Sequence, residues 1–169
     1  MKPHALRPTI IIAGCLYLFD GLVVGQGVIG VFVFVVALLA GGVRMLMAVH
    51  KKDQAQVRLR AARIAVYFLM AVAILATIYI NNRIAAYQAE RVIAACRQFE
   101  TKNHRFPDRL PELVPEFLPS VPRAKYTLLY GEFTYFLSYE KRHHLYYVVF
   151  PPFARAIYSF ESGRWSTFD

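Results

Sequence analysis

The sequence predicts a membrane protein of mixed class. An α-helical anchor of three transmembrane helices precedes an α+β domain, in which a long helix packs on an antiparallel sheet of four or five strands. Hydrophobic residues make up 57% of the 169 residues and are segregated along the chain. Residues 60–102 contain no Pro or Gly, which favours one long helix. After residue 124, aromatic and β-branched segments alternate with turn residues, which is typical of strands.

A helical hairpin is predicted at the start of the chain. The apolar stretch 9–49 is about twice as long as one bilayer crossing needs. Gly25-Gln26-Gly27 is the natural turn, which gives spans at about 9–24 and 28–48. A cleaved signal peptide is the alternative for the first span, but no Ala-x-Ala-like site follows it. We therefore expect a retained hairpin.

The third predicted span is 61–80, where Arg63 is the only charged residue. It completes a transmembrane region at 1–80 and leaves 81–169 as the second domain. About 20 apolar residues are enough to cross a bilayer, so this segment has the required length.

Basic residues at the ends of the spans predict the orientation. Residues 44–63 hold six Lys or Arg against one acid, Asp53. The positive-inside rule then makes 50–60 a cytoplasmic loop, the N-terminus cytoplasmic, and 81–169 periplasmic in a bacterial inner membrane. This distribution explains the net charge of +9 without a nucleic-acid partner. We expect the same basic residues to bind the anionic headgroups of membrane lipids.

Asp20 is the only acidic residue within the predicted hairpin. An ionisable residue inside a membrane is costly, and its default interpretation is functional, for example as part of a proton or ion relay. The alternative is structural, because Asp20 lies about five residues from the predicted turn, where we expect it to reach water.

The second domain begins with an amphipathic helix and continues as a sheet. The apolar stripe of this helix has helical spacing and comprises Ala85, Ala89, Val92, Cys96 and Phe99. Five prolines between 103 and 122 preclude a long helix there. The predicted strands are 126–130, 133–139, 145–150, 156–160 and 165–168. Short links between them predict an antiparallel meander covered on one face by the helix.

A resemblance to a known family rests on the helix-to-loop region. Its residues are Ala94-Ala95-Cys96-Arg97-Gln98-Phe99-Glu100, then Asn103-His104-Arg105-Phe106-Pro107-Asp108-Arg109-Leu110-Pro111-Glu112-Leu113-Val114-Pro115, then Phe117-Leu118-Pro119-Ser120-Val121-Pro122. This region resembles the type II secretion major pseudopilin and related type IV pilin-like proteins, over residues of about 80–139. The resemblance implies a pilin-like outer domain. Around Arg60–Tyr67 the chain departs from the pattern, with no prepilin cleavage glycine or following glutamate, so we expect neither processing nor polymerisation.

No motif in the sequence predicts catalysis, a cofactor or a metal. Gly-x-Ser-x-Gly, phosphate-loop and His-Glu-x-x-His patterns are missing from it. His143 and His144 are adjacent and would point to opposite faces of a strand. Asp108, Glu112 and Glu116 are interrupted by prolines, unlike a compact calcium loop. Cys96 lies on the apolar stripe, which is the wrong place for a nucleophile. We therefore predict a protein that is not an enzyme.

Aromatic residues of the predicted sheet exceed the number that a small core needs. Tyr and Trp are enriched at protein-binding hot spots. We predict a partner-binding surface on an exposed sheet face, formed by Tyr135, Tyr139, Tyr147, Tyr158 and Trp165. The predicted function is binding of a protein partner. Two alternatives stay open: an immunity protein against a secreted membrane- or envelope-directed toxin, and an accessory subunit of a secretion, pilus or transport complex.

Overall fold

The computed structural model describes residues 5–151 and 153–168, which divide between Ile78 and Tyr79 into two compact units. The division falls two residues before the predicted domain boundary at 80/81. Each unit has its own buried cluster of apolar side chains.

The first unit consists of helices. Helix α1 (Arg7–Leu16) continues as a π-helical segment, Tyr17–Val24, and helix α2 spans Val28–His50. Helix α3 begins at Gln54 and ends at Asn103, so its second half belongs to the second unit. Its 50 residues correspond to about 75 Å of helix. The prediction of three helices long and apolar enough to cross a membrane is confirmed.

The link between α2 and α3 is shorter than predicted. Only Lys51, Lys52 and Asp53 lie outside the two helices, so the expectation of a loop over 50–60 is wrong. The physical reason is a helix cap: Asp53 Oδ1 accepts a hydrogen bond from the Gln56 N–H at 3.0 Å. This cap satisfies a free donor of the first turn of α3 and starts the helix at Gln54.

The predicted stripe on the second half of α3 forms the centre of the second unit. Ala85, Ala89, Val92 and Cys96 are completely buried, and Phe99 is nearly so. They share one core with residues from the rest of the unit, among them Leu113, Leu145, Tyr147 and Phe160. Leu113 belongs to a short 3₁₀ turn, Leu110–Leu113, in the proline-rich segment.

Four strands form an antiparallel sheet in the order β1-β2-β3-β4. They are β1 (Thr134–Leu137), β2 (His143–Phe150), β3 (Ala154–Ser159) and β4 (Arg164–Phe168). The predicted combination of helix and antiparallel sheet is therefore confirmed.

The first predicted strand, 126–130, is wrong, because this segment is a closed loop. The backbone N–H of Lys125 donates to the Gly131 carbonyl at 3.1 Å, which joins the two ends of the loop. Tyr130 adopts a φ of 57°, which no regular strand tolerates. The segment has the composition of a strand, but its closure prevents pairing with the sheet.

Candidate interaction surfaces

The two faces of the sheet have different surroundings. Residues that pair across neighbouring strands point to the same side. Leu145 pairs with Tyr135 and with Tyr158, and all three contact the core that α3 shares. We call this side the inner face. The opposite side, the outer face, carries Thr134, Phe136, Tyr146, Val148, Arg155 and Arg164, which follow from the same register.

The structure places four of the five predicted partner-binding residues on the inner face of the sheet. Tyr147 is only 8% exposed, and Tyr135 and Tyr158 pack against the core. The ring of Trp165 contacts both Tyr147 and Tyr158, and its indole N–H reaches Glu90 of α3 at 3.4 Å. The expectation of an exposed face is therefore wrong for Tyr135, Tyr147 and Tyr158, whereas Trp165 keeps 39% of its surface exposed at the edge of the core. Tyr139 is fully exposed, but it lies in the turn between β1 and β2.

The physical reason is the small size of the helix stripe. The small side chains of Ala85 and Ala89 leave space in the core that α3 shares with the sheet, and large rings from the sheet pack into the same core. The sequence carried a signal for this orientation. Arg155 and Arg164 alternate with Tyr158 and Trp165 on their strands, and charged residues favour the solvent side of a half-buried strand.

The second unit has an open groove on the outer face of its sheet. It has a volume of about 330 Å³ and lies between the sheet and the segment 123–132. Two arginines line it, Arg123 and Arg155, together with one acid, Glu132, and the rings of Tyr130 and Tyr146. The remaining lining residues are Leu128, Gly131, Thr134 and Val148.

The arginines of the groove are held in different ways. Arg123 donates to the Thr127 carbonyl at 2.9 Å and lies 3.9 Å from the Glu132 carboxylate. Arg155 lies over the ring of Tyr146, with 5.6 Å from its guanidinium carbon to the ring centroid. Among the described residues, no carboxylate lies within ion-pair distance of Arg155. Arg155 is therefore an exposed cation that can accept a carboxylate from outside.

Next to this groove, Lys125 is buried, with only 3% of its surface exposed. Its ammonium group donates to the Val149 carbonyl at 2.9 Å. Burial lowers the pKa of Lys125 from 10.5 to about 8, because the charged form loses its hydration. The charge of Lys125 adds to the positive potential at this side of the unit below that pH.

In the first unit, Asp20 caps a helix. Its side chain is completely buried, so the expectation that it reaches water is wrong. Its two oxygens accept hydrogen bonds from the N–H groups of Gly27 and Gly30, at 3.0 and 2.7 Å. Gly27 is the N-cap residue of α2 and Gly30 lies in its first turn, where the helix dipole favours an anion. A side chain at Gly30 would lie 3.2 Å from Asp20 and 2.3 Å from Ile74, which explains the glycine.

A second groove in the first unit bears on the predicted lipid contact. It has a volume of about 440 Å³, and its wall changes from apolar residues such as Val36 and Ala40 to the arginines 44, 60 and 63. None of the described residues that line it is acidic. Arg60 donates to the Arg44 carbonyl and Arg63 to the Ala5 carbonyl, so backbone oxygens hold both side chains. Anionic lipid binding at these arginines stays a prediction.

The reactive side chains singled out from the sequence lie in structural surroundings. Burial raises the pKa of the Cys96 thiol to about 12, which leaves it protonated at neutral pH. His143 contacts Glu161, with 3.0 Å between Nδ1 and the carboxylate. The backbone N–H of His143 donates to the same carboxylate at 2.7 Å. These contacts join the start of β2 to the turn after β3.

Fold and surfaces together describe a chain with three helices long enough to cross a membrane and a compact α+β unit with an open, basic groove. No family model, curated protein or solved structure matches the chain.

Replacing Asp20 tests its role as a helix cap. Asp20→Ala leaves the buried N–H groups of Gly27 and Gly30 without acceptors, and we expect a loss of about 3 kcal/mol in the free energy of unfolding. Asp20→Asn keeps one acceptor oxygen and should lose less. The measurement is thermal unfolding of the full chain in detergent. Asp53→Ala, which removes an exposed cap, is the control and should cost less than Asp20→Ala. Equal stability of Asp20→Ala and the unsubstituted chain would contradict the capping role.

The lowered pKa of Lys125 predicts a pH dependence of stability. Between pH 8 and 10.5 the unfolded chain holds the Lys125 proton more strongly than the folded chain does, so this residue makes stability rise with pH. Lys125→Met should remove this rise, which amounts to about 3 kcal/mol. The measurement is the difference between the unfolding profiles of the two chains from pH 7 to 11.

Lys141→Met, at an exposed turn position, is the control for this pH experiment and should leave the profile unchanged. Parallel profiles for Lys125→Met and the unsubstituted chain would show that Lys125 keeps an ordinary pKa.

Proposed function

We propose that this chain is a non-catalytic protein of the bacterial inner membrane whose second unit binds a protein partner on the periplasmic side. The basic residues of 44–63 support this orientation through the positive-inside rule. The observation that carries the proposal is the groove on the outer face of the sheet, where two arginines and two tyrosine rings lie together.

We also propose that the second unit is pilin-like. Three features support this: the second half of a long helix supplies one side of the core, a proline-rich segment with a 3₁₀ turn follows it, and an antiparallel meander completes the unit. The proposal concerns the outer domain alone. The sequence around residues 60–67 supports neither prepilin processing nor polymerisation.

The chemistry of the groove suits an acidic segment of a partner protein. A guanidinium group binds a carboxylate through two parallel hydrogen bonds, and Arg155 has no ion-pair partner among the residues that the structure describes. Tyr and Arg are also the residues that most often dominate binding energy at protein interfaces. Glu132 at the edge of the groove would repel an acid placed wrongly, which favours one register of the bound segment.

The identity of the partner separates the specific roles. A toxin would make the chain an immunity protein, whereas a component of a secretion, pilus or transport complex would make it an accessory subunit. Both roles require the same binding surface, so one experiment on the groove tests them together.

Photocrosslinking in intact cells tests the proposed surface. A benzophenone side chain replaces Thr134, which is exposed on β1 and lines the groove. We expect an adduct with one protein, identified by mass spectrometry. The double variant Arg123→Glu and Arg155→Glu should reduce the adduct at least about tenfold, because like charges across an interface cost several kcal/mol.

Arg164→Glu is the matched control, since Arg164 is an exposed arginine of the same face outside the groove. It should leave the adduct unchanged. Replacement of the acidic partner residue by Arg should restore crosslinking to the double variant. Crosslinking to lipid alone would contradict the proposal. An equal loss of the protein adduct in the double variant and in the Arg164→Glu control would also contradict it.

A further inference from the structure

The segment 126–130, which we call the 126–130 loop, exposes a row of large apolar side chains. Leu128 is 72% exposed, Leu129 50%, Tyr126 67% and Tyr130 45%. Two adjacent leucines in water, flanked by tyrosines, form an apolar patch that the core of the unit does not use. Patches of this kind mark contact with a protein or a membrane.

Internal hydrogen bonds hold the loop in this shape. Its ends join through the bond between Lys125 and Gly131, and Thr127 folds inward, where its hydroxyl donates to the Leu129 carbonyl at 2.7 Å. Thr127 is only 2% exposed, in contrast to its neighbours. A side chain at Gly131 would lie 2.6 Å from the Thr127 carbonyl, so only glycine permits this closure. The leucines therefore point outward from a built loop.

The position of the loop in its own unit indicates what covers it. The backbone N–H of Tyr126 donates to Asn81 Oδ1 at 3.1 Å, and Asn81 is nearly buried by the contact. Asn81 directly follows Tyr79 and Ile80, the last residues of the apolar segment of α3, which are 65% and 56% exposed. The loop thus lies beside the level of α3 where the apolar segment ends.

If α3 crosses a membrane, this level is the boundary between hydrocarbon and water. Tyrosines are enriched at that boundary, because their rings prefer the headgroup region while their hydroxyls reach water. Leu128 and Leu129, between the two exposed tyrosines, provide the apolar side chains that such a boundary region takes up. Composition and position therefore agree on the lipid surface as the occupant.

We propose that the 126–130 loop inserts Leu128 and Leu129 into the headgroup region of the bilayer that α3 spans. The second unit then has two attachments to the membrane, the helix and the loop. A second attachment fixes the rotation of the unit about the helix axis. Leu128 and Tyr130 belong to the 126–130 loop and also line the groove on the outer face. The second attachment therefore also determines the direction of the groove relative to the membrane surface.

Depth-dependent fluorescence quenching tests this proposal without any partner protein. The purified full chain is reconstituted into vesicles of phosphatidylethanolamine and phosphatidylglycerol, with bromine atoms on the acyl chains either near the headgroups or near the bilayer centre. Leu128→Trp and, separately, Leu129→Trp are compared with the unsubstituted chain, whose single tryptophan, Trp165, gives the baseline.

We expect each new tryptophan to be quenched at least about twofold more strongly by bromine near the headgroups than by bromine near the centre. Leu137→Trp is the matched control. Leu137 is 56% exposed at the end of β1 that leads away from the loop, so its tryptophan should show only the baseline quenching. Both loop positions are exposed, so these substitutions leave the core intact.

Quenching of neither loop tryptophan above the baseline would overturn the proposal. Equal quenching at Leu137 would also overturn it, because the lipid contact would then not belong to the loop. The result is independent of the proposed partner, since the vesicles contain none. The two experiments can fail separately. If the loop tryptophans are quenched but the groove gives no protein adduct, the proposed function fails and this inference stands.

Discussion

The contact between small residues on α3 and large rings on the sheet is the constraint on which the second unit depends. Ala85 and Ala89 are completely buried, and their small side chains leave room for large rings in the shared core. Tyr147, Tyr158 and Phe160 belong to this core, where Tyr158 packs edge-to-face on Phe160 and Tyr147 on Phe133. Aromatic pairs of this kind add to the stabilisation that burial of apolar area supplies.

This packing also determines what stays outside. Because the register sends Tyr135, Tyr147 and Tyr158 inward, Thr134, Tyr146 and Arg155 must face the other way and form the wall of the groove. The same helix carries Asn81, which positions the 126–130 loop through its side chain. One helix therefore organises the core, the candidate binding groove and the loop that we place at the lipid surface.

The sequence predicted the features that depend on periodicity, and it failed where closure or register decided the structure. The apolar spans and the stripe on α3 follow from spacing alone, and both are present. The segment 126–130 has strand composition, but a single backbone bond between Lys125 and Gly131 makes it a loop. The distance of Asp20 from the turn predicts contact with water, whereas its burial depends on donors at the start of α2 that no local pattern reveals. The direction of Tyr158 and Trp165 could have been predicted, because charged neighbours alternate with them.

The most direct test of this account is a pair of matched substitutions on α3. Ala89→Leu adds bulk at a completely buried stripe position, and Ala94→Leu adds the same bulk at an exposed position of the same helix. Overpacking of a filled core costs about 1–3 kcal/mol, so thermal unfolding of the full chain in detergent should shift by several degrees for Ala89→Leu only. Equal midpoints for the two variants would contradict the claim that the stripe of α3 carries the sheet.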